Sequence, residues 1–117
     1  MAAPNIVNVA TITGKTAVQA ITTSATAIVT NTSGSNKVFK INALYVSNID
    51  GVNSATANVD IFRSSVAYRI ANTITVPADA TLDVITKAIY LEEGDSLRLT
   101  ASASSRLEAV CSYEEIS

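Results

Sequence analysis

The chain has 117 residues, 48% of them hydrophobic and 15% charged, with a net charge of −2. That length holds one domain around one core. The hydrophobic fraction excludes a disordered chain, and the charge balance gives no electrostatic reason for direct nucleic-acid binding.

The stretch Met1 to Ile6 has no basic region and no apolar run of signal-peptide length. No segment approaches a membrane span, so no membrane partner is expected. A single cysteine cannot form an internal disulfide and fits synthesis in a reducing cytoplasm.

In chain order, Asn5 to Ile12 is apolar on both sides through Ile6, Val7, Val9, Ala10 and Ile12. It is too apolar to hang free. It either pairs inside its own sheet or lies on a neighbouring copy, so segment 1–13 is set apart as an arm or exchanged strand of one 1–117 domain. Thr13-Gly14-Lys15 reads as the first turn. Thr16 to Thr26 is ambiguous, alanine-rich but with threonines, Val18 and Ile21 that argue for strands. Asn31 to Asn36 reads as an exposed loop tip.

Lys37 to Val46 is apolar on both faces. Phe39, Ile41, Ala43 and Tyr45 form one face, and Val38, Leu44 and Val46 lie on the other. Such a strand is either central or covered by a neighbouring subunit. Asn48 to Asn53 is a turn built on Asp50-Gly51.

Ser54 to Ile61 alternates with period two, and so does Ser65 to Val76, where Val66, Tyr68, Ile70, Ile74 and Val76 share a face and Asn72 breaks the pattern. Pro77 to Asp79 and Glu93-Gly94-Asp95 are further turns. Ser96 to Ala103 alternates again, and Leu107 to Tyr113 closes the chain as a last strand. Turns spaced in this way indicate an all-β antiparallel sandwich of about seven to nine strands, jelly-roll or immunoglobulin-like in outline.

Chemistry is hard to place on this chain. It has no histidine, so no imidazole base can activate a serine, threonine or cysteine, and zinc lacks its usual ligands. Cys111 alternates with Leu107, Ala109 and Tyr113 and reads as a small buried hydrophobe. Glu92, Glu93 and Asp95 crowd one turn, and Asn48, Asp50 and Asn53 another, but neither matches a calcium loop. No enzymatic activity and no cofactor are expected.

The closing stretch, Ile89 to Leu97 followed by Thr100 to Ser105 and Leu107 to Ser117, resembles the C-terminus of small virion structural proteins of tailed bacteriophages, marine and cyanobacterial ones in particular. Ala2 to Val7 and Lys37 to Asn48 resemble the same group more weakly. The resemblance implies a virion component located in the particle: a capsid decoration (cement) protein, a neck or collar protein, or a tail accessory protein. Its partners would be copies of itself, as a trimer or ring, and other virion proteins such as the major capsid or neck protein.

The expected contacts are Ile6, Val7 and Val9 in the N-terminal segment, and Val38, Leu44 and Val46 on the second face of their strand. Asn31, Asn36, Asn48 and Asn53 in the two loops complete the set. The other reading is a carbohydrate-binding module for host-surface attachment, presenting an exposed patch drawn from Tyr45, Tyr68 and Tyr90.

Overall fold

The structure, a computed structural model, describes residues 10–117. It contains nine strands: β1 (Ile12–Ala20), β2 (Thr26–Thr30), β3 (Val38–Asn48), β4 (Ala55–Arg63), β5 (Val66–Val76), β6 (Thr81–Asp83), β7 (Ile89–Leu91), β8 (Ser96–Ala101) and β9 (Leu107–Ile116). One sheet has the order β1-β9-β3-β6, with β7 also on β3; the other has the order β2-β8-β4-β5. Every pairing is antiparallel.

Both β6 and β7 lie along the same edge of β3, on Tyr45–Ser47 and Phe39–Ile41 respectively. Counted as two halves of one strand, they complete a nested pairing around the β4–β5 hairpin. β3 pairs with β6 and β7, β2 with β8, and β1 with β9. This is jelly-roll connectivity, and it decides between the two sandwich outlines that the strand spacing allows.

The core lies between the sheets. Ile41, Leu44, Val46, Leu107, Ala109 and Cys111 from one sheet meet Val29, Val59, Val76, Leu97 and Leu99 from the other. Aliphatic side chains dominate it, and its aromatic content is small: Phe39 packs at 5.6 Å between ring centroids against the half-buried Tyr113.

Three features of the fold correct the expectations from sequence. Thr13-Gly14-Lys15 is not a turn but runs through β1, which pairs with β9 in unbroken register from Ile12 to Ala20. Lys37 to Val46 does not carry two apolar faces. The register on β9 shifts between Ile41 and Ala43, leaving Asn42 as an extra residue. This bulge turns the strand over, so Phe39 and Ile41 before it and Leu44 and Val46 after it all face the core, and Tyr45 faces out. In β5, shifts opposite Val59 break the alternation twice. Tyr68, Ala71, Ile74 and Val76 therefore share one face through their partners Ile61, Val59, Ala57 and Ala55, and Ile70 drops out of it.

The β4–β5 hairpin turns on Ser64 and Ser65, with φ of 51° and 62°. Two positive-φ residues define the mirror-image two-residue turn that matches strand twist. Asn and Gly usually fill it, and two serines give no such signal in the sequence.

Candidate interaction surfaces

Leu44 and Val46 are wholly buried in the subunit's own core, so they are not contact residues; the bulge at Asn42 places them there. Val38 does lie on the outer face, opposite Ile116. Both are buried, though neither belongs to the core cluster.

Asn31 and Asn48 are also buried, which removes them as surface contacts. Each latches a loop. Asn31 Nδ2 donates to the carbonyls of Lys37 (2.9 Å) and Leu91 (3.0 Å), and its Oδ1 accepts from the Ser35 hydroxyl. Asn48 Nδ2 donates to the carbonyls of Asn53 (2.9 Å) and Val76 (3.0 Å), and its Oδ1 accepts from the Asp50 N–H (2.9 Å). A buried amide must satisfy both ends, and these do. The period-two pattern contained the signal: each asparagine stands two positions beyond an inward valine, Val29 or Val46.

Asn36 and Asn53 stay nearer the surface. Asn36 has φ of 60° and gives its N–H to the Glu93 carboxylate. Asn53 is exposed, with its N–H on Asp50. Ile6, Val7 and Val9 lie outside the described residues.

The exposed apolar side chains form groups rather than a scatter. On the outer face of the first sheet, Val18, Val110 and Tyr45 stand in one cross-strand row. They are exposed by 74%, 39% and 42% respectively. On the second sheet, Val66 and Tyr68 share the core side with Val59 but are exposed. That end of the hairpin therefore projects past the opposing sheet, in a molecule 49 Å long and 19 Å thick. Tyr45, Tyr68 and Tyr90 are all exposed, but they do not make one platform. Tyr90 pairs with Lys40, five residues along β3 from Tyr45, and Tyr68 is in the other sheet.

Many of the charged groups are committed to structure. Arg63 grips Asp95 with two bonds, Nε to Oδ1 (2.8 Å) and Nη2 to Oδ2 (2.5 Å), and reaches Glu92 at 2.8 Å. Burial works to raise the Asp95 pKa. The Arg63 hydrogen bonds, the Glu92 N–H and the Arg63 charge outweigh it and hold this carboxyl below its usual range. Lys15 and Lys37 both meet Glu115, at 2.8 and 3.0 Å. The Lys15 hydrogen bond is the largest cause of a lowered Glu115 pKa. Asp50 is lowered by the N–H groups of Val52 and Asn53, which it caps. Arg69 pairs with the buried Asp60, and Arg98 lies 4.1 Å above the Phe62 ring.

Burial pushes the Cys111 thiol up to about 11, far from a reactive thiolate. Among the described residues no group of three His, Cys, Asp or Glu could hold a metal ion, and no helix is long and apolar enough to cross a membrane. The chain has no histidine to act as a base.

No protein-family model and no curated protein sequence matches the chain. Solved structures do resemble it in fold. A chain from Bacillus endospore appendages, described as a family of disulfide-linked pili, superposes with a TM-score of 0.55 at 13% identity, over 92% of this chain and 88% of that one. A chain from the acid-stable capsid of Helicobacter pylori bacteriophage KHP30 superposes with a TM-score of 0.53 at 7% identity, over 94% and 90%. At these identities the likeness is one of fold.

Proposed function

We propose that this chain is a structural subunit of a bacteriophage particle, a non-enzymatic jelly roll whose task is to pack against copies of itself and against other virion proteins. The observation that carries the reading is the row Val18–Val110–Tyr45, apolar and solvent-facing on a regular sheet surface. Contiguous exposed apolar groups of this kind mark surfaces that partners cover. The KHP30 capsid likeness and the phage-like C-terminus support the setting.

Within that setting the role that fits best is a capsid decoration (cement) protein seated on the major capsid protein. A neck, collar or tail accessory role is the alternative. The N-terminal residues Ile6, Val7 and Val9, with Asn36 and Asn53 in the loops, are the further contacts proposed.

The test is the native mass of the purified protein by light scattering on a sizing column. A trimer supports the cement role, and a six- or twelvefold ring supports the neck or tail role. A monomer at every accessible concentration overturns self-association. Val7→Asp should lower the native mass while leaving the unfolding midpoint in place. The sugar-binding reading is not favoured, because its three exposed tyrosines stand apart.

A further inference from the structure

Among the described residues the two sheets have four edges, and three are blunted. β2 is five residues long and bulged between Ala27 and Val29. β5 is broken twice, with Thr73 at φ 54°. The β6–β7 edge is two three-residue pieces. Short, bulged or interrupted edges are how sheets avoid pairing with other chains. β1 has none of these devices. It is nine residues long, regular and free of proline, and its one lysine is turned to Glu115.

The open side of β1 can be assigned residue by residue. Ile21 N–H donates to Leu107 (2.9 Å), and Thr11 and Ser117 exchange both bonds (2.9 Å each). Bonded residues alternate in an antiparallel ladder, so the odd residues of β1 serve β9. The N–H and C=O groups of Ile12, Gly14, Thr16, Val18 and Ala20 point away from it. Among the described residues no strand pairs with them.

Building on the self-association reading above, we propose that a second copy of this chain pairs here, β1 against β1 in antiparallel register about a two-fold axis at Thr16. Two constraints select that partner and register. First, the middle residue of the strand is one of the outward-bonding ones, so full-length pairing and hydrogen-bond parity agree: 12 meets 20, 14 meets 18 and 16 meets 16. Second, sizes then match. Ile12, half exposed, stands beside Ala20 of the other copy, and Val18, the more exposed of the two, stands beside its Gly14. Nothing lies within 4 Å of where a Gly14 side chain would begin. Large stands beside small at these two pairs, so neither is crowded, and the Thr16–Thr16 pair on the axis is of the hydrogen-bonding kind that stabilises neighbouring strands. The contact is self-complementary, as a two-fold interface must be, and it joins the two β1-containing sheets into one.

The decisive experiment is Thr16→Cys under mild oxidation. Directly opposed residues in a bonded antiparallel pair sit about 5.5 Å apart at Cα, within disulfide reach, and the native Cys111 is buried. A covalent dimer is expected to be the main product. Thr13→Cys, opposite Gln19 and on the other face, should give none. Thr16→Pro removes an N–H that the subunit itself does not use, so an even-numbered assembly should fall to half its mass with little change in Tm; a wild-type trimer, which a two-fold contact cannot close, overturns the pairing. If wild-type protein self-associates while Thr16→Cys does not cross-link and Thr16→Pro keeps its mass, the edge pairing is wrong and the self-association reading stands. If wild-type protein is monomeric throughout and Thr16→Cys does not cross-link, both fall. The cysteine variant needs no backbone change, so the outcome does not depend on the proline variant folding.

Discussion

Replacing Leu44 by alanine tests the bulge at Asn42, on which the whole assignment of β3 turns. Leu44 is 0% exposed and its neighbour Tyr45 is 42% exposed. The substitution removes three carbons from a closed site. At about 0.8 kcal/mol for each buried methylene, the transfer loss is roughly 2.4 kcal/mol. The cavity left behind adds to it, giving about 3–4 kcal/mol in all. For a domain of this size each kcal/mol moves Tm by about 3–6 °C, so Leu44→Ala should lower Tm by roughly 10–20 °C. Tyr45→Ala, on the outer face beside Val110, should cost about 1 kcal/mol or less. Urea denaturation followed by far-UV circular dichroism measures both. Deleting Asn42 should be tolerated better than deleting Leu44, because it leaves every inward residue of β3 facing inward. A strand without the bulge predicts the reverse order for the two alanine variants. If Tyr45→Ala proves the costlier, the reasoning about β3 fails.

Other expectations follow from the turns and the charges. Ser64→Asn with Ser65→Gly should raise stability by about 1–2 kcal/mol, since each serine now holds a left-handed conformation that costs L-residues about that much singly; an unchanged or lower urea midpoint would contradict the turn assignment. Asp95→Ala should cost about 1–3 kcal/mol through loss of the charged bonds to Arg63 and of the cap on the Glu92 N–H, toward the low end because Arg63 is half exposed; thermal melts would show it. Asn48→Ala leaves the Val76 carbonyl without this donor and frees the 48–53 loop, for about 1–3 kcal/mol, read as an earlier melt and faster proteolysis in that loop. Glu115, Asp95 and Asp50 all have lowered folded-state pKa values. Their contribution is therefore complete above the ordinary carboxylate range and is lost as pH falls through the folded values. Urea midpoints should be level from pH 7 to about 5 and drop towards pH 3, less steeply in Glu115→Gln.

Much of this architecture could be read from residue patterns, and each failure has a physical cause. β4 and β8 keep strict alternation, and Val59, Leu97 and Leu99 are in the core as their spacing implies. Gly94 takes the positive φ, 92°, that its turn requires. β3 and β5 misled because a bulge shifts the phase by one residue, and nothing in Ile41-Asn42-Ala43 announces it. In β3 the register is fixed by the distant β9, which sets Ile41 against Tyr113 and Ala43 against Ser112; in β5 it is fixed by the neighbouring β4. Gly14 misled in the opposite sense. Glycine marks turns, but in β1 it sits within an extended edge where no neighbour crowds it. Asn31 and Asn48 read as surface residues because polar residues at turns commonly are. Their inward phase was legible, but the carbonyls they satisfy belong to strands that only the folded chain brings near.

The nested pairing also sets a timetable. β1 leaves the ribosome well before its partner β9, which begins at Leu107. At about 5–20 residues per second, β1 waits on the order of 5–20 s with both edges bare. The pair that closes the fold must bring together the two most distant of the described strands, the slowest kind of contact to form. A nascent subunit is thus most prone to mispairing through the very strand that is left with an open edge when folding is done. Crowded polysomes would make that risk greatest where many copies are being made at once.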